Sequence, residues 1–354
     1  MSLAVNYFDR NGKIFTMLFY TILLLIITTF CLYILSKITT KIRHHYHFKY
    51  YRNHFRMDGK TILITEATSG TGRSIAEYLV AQGAKVIMAC RNLSKAEEVA
   101  NEIRNSTGVD PKKLSVVHLD FIDLNSVREC AKKITASEDR IDVLFNNAGL
   151  GLSPFKLTKQ GYDYVFGVNY VGPFLLTYLL IDLLKKSSPS RVINVIPCGD
   201  TFLKEEPDFS RQLTQESDIK YPNLFGYNMS KLAQIWHAKI LSEKLKDYQV
   251  STISVHSGSG SKITTDQKTN GMLLAKIVSR FFDLISRKFN MLPKDAALTV
   301  AYLAMDPNLE DMSGQYFENM KISQNLSPYA KDKRLAQKMW DVSMEMCGLC
   351  KKNE

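Results

Sequence analysis

Two residues four apart, Tyr227 and Lys231, carry the plainest chemical capacity in the chain. They stand in Gly226-Tyr-Asn-Met-Ser-Lys-Leu-Ala-Gln234, a stretch that continues as a helix, and side chains at i and i+4 stack on one helical face. A tyrosine ordinarily ionises near pH ~10, and an ammonium beside it favours the anion. The pair can therefore exchange a proton near neutral pH, as a carbonyl oxygen requires when hydride reaches its carbon. Taken alone, a Tyr/Lys pair on a helix is an ordinary solvated surface, so the reading depends on what accompanies it.

The first companion is a glycine turn. Thr61-Ile-Leu-Ile-Thr65 is a short apolar, β-branched run suited to a strand buried on both faces. Glu66-Ala-Thr-Ser-Gly70-Thr-Gly72 follows, then a helical pattern with Ile75, Ala76, Leu79 and Val80 on one side, stopped by Gly83. A second strand starts at Lys85-Val-Ile-Met-Ala89. Strand, glycine turn, helix and strand make a βαβ unit whose helix N-terminus offers backbone N–H groups to a phosphate. At the end of the second strand an acid would hold an NAD ribose hydroxyl, whereas an arginine suits a 2′-phosphate. The chain has Cys90-Arg91-Asn92 and no acid, which predicts NADP(H). Further strands are expected at 114–119, 141–145, 191–196 and 250–255, with helices between them. This alternation predicts an α/β fold, a doubly wound parallel sheet covered on both faces.

The composition accommodates that fold. With 354 residues, 45% of them hydrophobic and 23% charged, the chain can bury a full core, which argues against long-range disorder. Six scattered cysteines are too few for a disulfide scaffold and suit a reducing compartment. Of the net charge of +11, +6 lies between Lys37 and Lys60, where seven basic residues face the single acid Asp58. A nucleic-acid binder would spread its basic residues over the folded domain, so no nucleic-acid partner is expected.

The basic cluster follows an apolar segment. Ile14 to Ser36 is 23 residues without a charge, and about 20 suffice to cross a bilayer. No small-residue cleavage site follows, which predicts a transmembrane signal anchor rather than a cleaved signal peptide. The positive-inside rule places the chain from Lys37 onward in the cytosol, so the Asn-x-Ser/Thr triplets at Asn92, Asn105, Asn228 and Asn325 are expected to be unglycosylated. The histidines at 44, 45, 47 and 54 read as headgroup contacts, and no metal is expected. The predicted organisation is a lumenal tail over 1–13, the anchor over 14–36, a basic linker over 37–56, one Rossmann-like domain over 57–349 and a tail over 350–354.

These stretches together resemble the short-chain dehydrogenase/reductase family, and within it the membrane-anchored retinol dehydrogenases. The resemblance runs in collinear order from Met57 to Leu349. It rests on Thr65 to Gly72, Ala89-Cys-Arg-Asn92, Asp120, Asn146-Asn-Ala-Gly149, Gly167-Val-Asn-Tyr-Val-Gly-Pro-Phe-Leu-Leu-Thr177 and Tyr227 to Lys231. Val255-His-Ser-Gly258, Ser313-Gly-Gln-Tyr-Phe317 and the helix through Trp340 extend it. It implies that Tyr227 is the acid/base, that Lys231 also holds the nicotinamide ribose, and that Asn169 supports Lys231 through a water. It further implies cofactor contacts at Thr65, Ser69, Gly70, Thr71, Gly72, Arg91, Asn92, Asp120, Asn147, Ala148, Gly149, Ser257 and Gly258. A homodimer paired through helices is left open, and the expected location is the endoplasmic reticulum membrane with the catalytic domain facing the cytosol.

Three positions depart from the family pattern. Glu66 stands where relatives have the first glycine of the turn, which adds a side chain and a carboxylate beside the cofactor phosphates. Pro197 stands at the serine that would hydrogen-bond the substrate oxygen; losing one such donor costs about 10²–10³ in rate. Cys198 is adjacent, but a thiol is a weak donor. Ser257 replaces a proline before Gly258, which makes that loop more flexible. Two readings therefore compete: an NADP(H)-dependent oxidoreductase interconverting a lipophilic alcohol and its carbonyl, or a degenerate member acting as a membrane-tethered binding or scaffolding protein. Cofactor binding separates them.

Between Gly271 and Leu292, apolar residues recur every three to four positions, interleaved with Lys276, Arg280, Arg287 and Lys288. That pattern fits an amphipathic helix at an anionic membrane surface, and equally an ordinary buried helix. Relatives carry a substrate lid here, and the expected substrate is a retinoid-like molecule, a steroid or a fatty aldehyde taken from the bilayer. Cys347-Gly-Leu-Cys350 has redox-motif spacing but ends a helix instead of opening one. Replacing Phe281 and Phe282 by Ser is expected to lower activity on membrane-delivered substrate more than on a soluble aldehyde, and equal loss on both would remove the membrane-docking reading.

Overall fold

The computed structural model describes residues 20–21, 24, 27–36, 38–39, 55–151, 153, 156–196, 206–207, 209, 224–256, 293–318, 320–324 and 326–350. An eight-stranded sheet in the order β3-β2-β1-β4-β5-β6-β7-β8 forms its framework. The strands are β1 (Thr61–Thr65), β2 (Lys85–Cys90), β3 (Leu114–His118), β4 (Val143–Asn146), β5 (Ser190–Ile196), β6 (Val250–His256), β7 (Tyr316–Glu318) and β8 (Lys321–Ile322). The first seven are mutually parallel, and only β8 runs antiparallel, folding back on β7. The six predicted strands are all present, with ends shifted by one or two residues. The two short strands at the edge were not anticipated, because two or three residues carry no readable period.

Alternation along the strands divides the core. Ile62 and Ile64 pack with Ile75, Leu79 and Val300 on one face, while Leu63 packs with Phe174, Trp236 and Trp340 on the other. The first face is covered by α1 (Gly70–Ala81), α2 (Leu93–Thr107) and α7 (Pro293–Met305). The second face is covered by α3 (Leu124–Ser137), by the segment α4, by α5 (Ile181–Lys186) and by α6 (Leu224–Leu245). In α4 an α turn, Tyr164–Phe166, runs into a π-helical turn, Gly167–Val171, and then into the α-helical Gly172–Leu179. After the short α8 (Pro328–Lys331), α9 (Lys333–Met346) lies across α4 and α6. Tyr170 Oη and Ser343 Oγ are hydrogen-bonded at 2.8 Å, and the Phe174 and Trp340 rings meet edge to face at 5.0 Å.

The strand order reverses between β1 and β4, which lie side by side with Ile62 opposite Val143 and Ile64 opposite Phe145. In open α/β sheets ligands enter the crevice beyond the carboxyl ends of strands at such a switch point. Here those ends are Thr65-Glu66 and Asn146 to Gly149.

Of the predicted anchor, residues 20–21, 24 and 27–36 are described; they are helical and belong to a compact unit separate from the sheet domain. Tyr20, Leu24, Leu32 and Leu35 are exposed, Leu32 at 67%. No helix among the described residues is long and apolar enough to cross a membrane.

His237, on α6, is buried among Tyr170, Phe174 and Trp340, and burial pushes its imidazole down to about 4. The unfolded chain takes up a proton near pH ~6.5 and the folded protein does not, so stability is lost as pH falls from that value towards 4. In urea unfolding the wild type is expected to lose up to about 3 kcal/mol across the same window, and His237→Phe is expected to flatten that slope.

Candidate active site

The crevice begins with one hydroxyl. Thr65 Oγ1, at the end of β1, accepts the backbone N–H groups of Asn147 and Ala148, each at 3.0 Å, and donates to the Phe145 carbonyl at 3.3 Å. Asn147 Nδ2 returns to the Thr65 carbonyl at 2.9 Å and the Glu66 carbonyl at 3.3 Å. The loop after β4 is thereby tied to the turn after β1. Gly72 lies inside this knot: a Cβ there would fall 2.6 Å from the Glu66 carbonyl oxygen and against the Asn147 amide. Ser69 and Gly70 are exposed at the start of α1, the Ser69 side chain makes no capping bond, and the first turn holds no acid. Gly70 has φ +56°, which a glycine adopts without penalty.

Glu66 is the exception in this turn. Its φ of +54° lies in the left-handed region, which costs a residue bearing a Cβ about 1 kcal/mol. Its carboxylate reaches across the crevice, where Oε2 accepts the Gly149 N–H at 3.3 Å. Both lips of the switch point are thus joined by the side chain that replaces the expected glycine.

The predicted catalytic residues come together on the other side of Gly149. Tyr227 is 4% exposed and Lys231 0%. Lys231 Nζ lies 5.2 Å from the centre of the Tyr227 ring, and a Cβ on Gly149 would stand 3.7 Å from that Nζ. Asn169, in the π turn of α4, uses its whole side chain as a clasp. Oδ1 accepts the Leu150 N–H at 2.7 Å, while Nδ2 donates to the Leu150 carbonyl at 3.0 Å and to Ser230 Oγ at 3.1 Å. Ser230 Oγ in turn donates to the Tyr227 carbonyl at 2.7 Å. The Asn169 side chain is thus committed to Leu150 and Ser230, and its main-chain carbonyl accepts Gln234 Nε2 at 2.6 Å. Asp163, at the start of α4, accepts the Phe166 N–H at 2.8 Å and lies against Gly226; burial pushes its carboxyl above the usual range.

The remaining predicted contacts are placed as follows. Arg91 is exposed at the end of β2. Asn92 has a local task, capping α2 by accepting the Lys95 N–H at 3.0 Å. Asp120 is half-buried just beyond β3, with Oδ1 accepting the Ile122 N–H at 3.1 Å. Thr71 is half-buried in the first turn of α1, and Ala148 is buried behind Gly149. Ser257 and Gly258, like Pro197, Cys198 and the predicted lid between 271 and 292, lie outside the described residues. Two residues without a predicted role belong to the site: Ser230, whose place beside Lys231 in the motif was a local signal, and Gln234, whose contact no local pattern announces.

Asn169→Ala removes three hydrogen bonds and leaves the Leu150 backbone unsatisfied, at about 1–3 kcal/mol for each buried group left unpaired. It is expected to lower the urea midpoint with little change in slope, and a midpoint equal to wild type would remove the clasp from the account.

The short chain dehydrogenase family profile matches residues 60–198. Retinol dehydrogenase 14 of Mus musculus is 37% identical over 303 residues, covering 83% of this chain and 88% of that protein. Among solved structures, an uncharacterised protein from Mycobacterium paratuberculosis superposes with a TM-score of 0.63 at 24% identity, over 84% of this chain and 97% of that one. A short chain dehydrogenase from Escherichia coli CFT073, complexed with NADPH, superposes with a TM-score of 0.54 at 22% identity, over 75% and 98%. With the switch-point crevice, the Gly72 turn and the Tyr227–Lys231–Asn169 cluster in place, this chain belongs to the short-chain dehydrogenase family, where it resembles the retinol dehydrogenases.

Proposed function

We propose that the protein is an NADP(H)-dependent oxidoreductase, tethered to the endoplasmic reticulum membrane by its N-terminal segment with the sheet domain in the cytosol, that interconverts a lipophilic alcohol and its carbonyl. The observation that carries the chemistry is the buried Tyr227–Lys231 pair at the mouth of the β1–β4 crevice. Similarity to retinol dehydrogenase 14 supports a retinoid-like substrate, with steroids and fatty aldehydes as further members of the same chemical class. The exposed apolar residues at 20–35 and the basic cluster after them support the tether.

The residues present fit a dinucleotide. The turn admits no side chain at Gly72, the start of α1 is open and free of acids, and Arg91 is exposed with no acid beside it. Ser69, Gly70 and Thr71 would hold the phosphates, Arg91 the 2′-phosphate, Asp120 the adenine and Lys231 the nicotinamide ribose. When bound, the cofactor supplies or accepts the hydride. Tyr227 gives a proton to the carbonyl oxygen in reduction and takes it from the alcohol in oxidation, and the Lys231 ammonium stabilises the charge that develops on the phenol oxygen. Asn169 and Ser230 keep α6 in register with the crevice.

The test is a titration of the full chain in detergent with NADPH and NADH, followed by nicotinamide fluorescence, with turnover of retinal measured in parallel. Micromolar NADPH binding, much weaker NADH binding and turnover are expected. Tyr227→Phe is expected to retain NADPH binding while losing about 10²–10⁴ in rate, and Glu66→Gly to tighten NADPH binding by removing the carboxylate from the crevice. Absence of binding by either nucleotide would sink this proposal and favour a membrane-tethered scaffolding role.

A further inference from the structure

One polar contact beside the Tyr227–Lys231 pair has no role in the chemistry described above. In an α-helix the Asn169 carbonyl would accept the N–H four residues on, but that residue is Pro173, which has none. The carbonyl is served from another helix: Gln234 Nε2 donates to it at 2.6 Å. Gln234 is 1% exposed and stands three residues beyond Lys231 on α6, so the two side chains are neighbours on one face. Its backbone is fixed too, since the Gln234 carbonyl accepts Asn194 Nδ2 at 3.2 Å and Ser254 Oγ at 3.3 Å. Its Oε1 is buried with no hydrogen-bond partner among the described residues. A buried amide oxygen in that condition costs about 1–3 kcal/mol and is ordinarily satisfied by an ordered water. The Asn169 carbonyl also keeps a second lone pair for such a water.

We propose that Gln234 is a positioning residue for the proton chemistry. It aims the Asn169 carbonyl with its Nε2 and offers Oε1 to a buried water, and so orders the polar surroundings one turn along α6 from the Lys231 ammonium and sets the pH at which Tyr227 exchanges its proton. The inference rests on the proposed role of Tyr227. Without Gln234 these surroundings lose their donor at Asn169 and their acceptor for water, the ammonium is less well held, and the phenolate is less favoured. Among the described residues, the other charged or titratable groups around this region are Asp163 against Gly226, Glu66 on the Gly149 N–H, and His256 at the end of β6 with Nδ1 3.1 Å from the Ile196 carbonyl. None is altered by changing Gln234.

The experiment uses the full chain in detergent, comparing wild type with Gln234→Met, which has similar length and no hydrogen-bonding amide. Gln234→Asn, one methylene too short for the contact, serves as an independent second variant. NADPH affinity, thermal midpoint and the pH dependence of kcat/KM for oxidation of a long-chain alcohol with NADP are measured. The Tyr227 phenol is titrated by NMR with labelled tyrosine, assigned by difference from Tyr227→Phe, a readout that needs no turnover. Expected are unchanged NADPH affinity, a phenol titration and acid limb displaced upward by about one pH unit, and a matching loss of about ten-fold in kcat/KM at neutral pH that is recovered at alkaline pH. An unchanged phenol titration in either folded variant, or a rate loss equal at every pH, overturns the proposal. A wild type that binds no NADPH indicts the oxidoreductase reading instead, and the phenol titration still decides the role of Gln234.

Discussion

Three elements that are distant in the chain meet at the side chain of Asn169. Its amide takes both backbone groups of Leu150 and the hydroxyl of Ser230, so the loop after β4, the π turn of α4 and the Tyr227–Lys231 turn of α6 are held in one arrangement. An unpaired buried amide would be costly, and the full set of these bonds can be made only when all three elements are in place. That closure brings α6 against the β4 loop, where Lys231 Nζ would stand 3.7 Å from a Cβ on Gly149. A π turn is suited to this role because its extra residue redirects the side chains that follow it without ending the helix.

What was legible in the sequence was what short-range periodicity encodes. The apolar runs at 61–65 and 85–89 became buried parallel strands, and the four-residue spacing of Tyr227 and Lys231 became a shared helical face. Contacts that join remote positions were not legible. Gln234 reaches Asn169 across 65 residues, and Glu66 reaches Gly149 across 83, and neither pair is marked by any pattern near either member. Asn92 adds a local task that its motif did not announce: at the end of β2 its side chain caps the following helix, at a position for which the family resemblance implies a cofactor contact. The edge strands β7 and β8 escaped because pairing alone, and not composition, makes two or three residues a strand.

Glu66 unites two opposing demands on one position. The backbone there needs a left-handed conformation that glycine adopts freely, and the chain accepts the strain of a side chain that then bridges the crevice. The same turn keeps Gly72 without room for a Cβ, so the geometry of a nucleotide site is retained on one side of the residue that narrows it. The protein thus keeps the architecture of its family while changing the electrostatics at its entrance.

The helix α9 has a further consequence. It is laid over α4 and α6 at Tyr170, Phe174 and His237, on the helices that carry Asn169, Tyr227 and Lys231. Residues 333–346 follow everything they cover, so during synthesis the sheet and the helices α4 and α6 emerge with that face bare, and the aromatic surface is sealed only once α9 has followed them. Until then the nascent domain leaves in water the ring cluster that α9 covers in the folded protein.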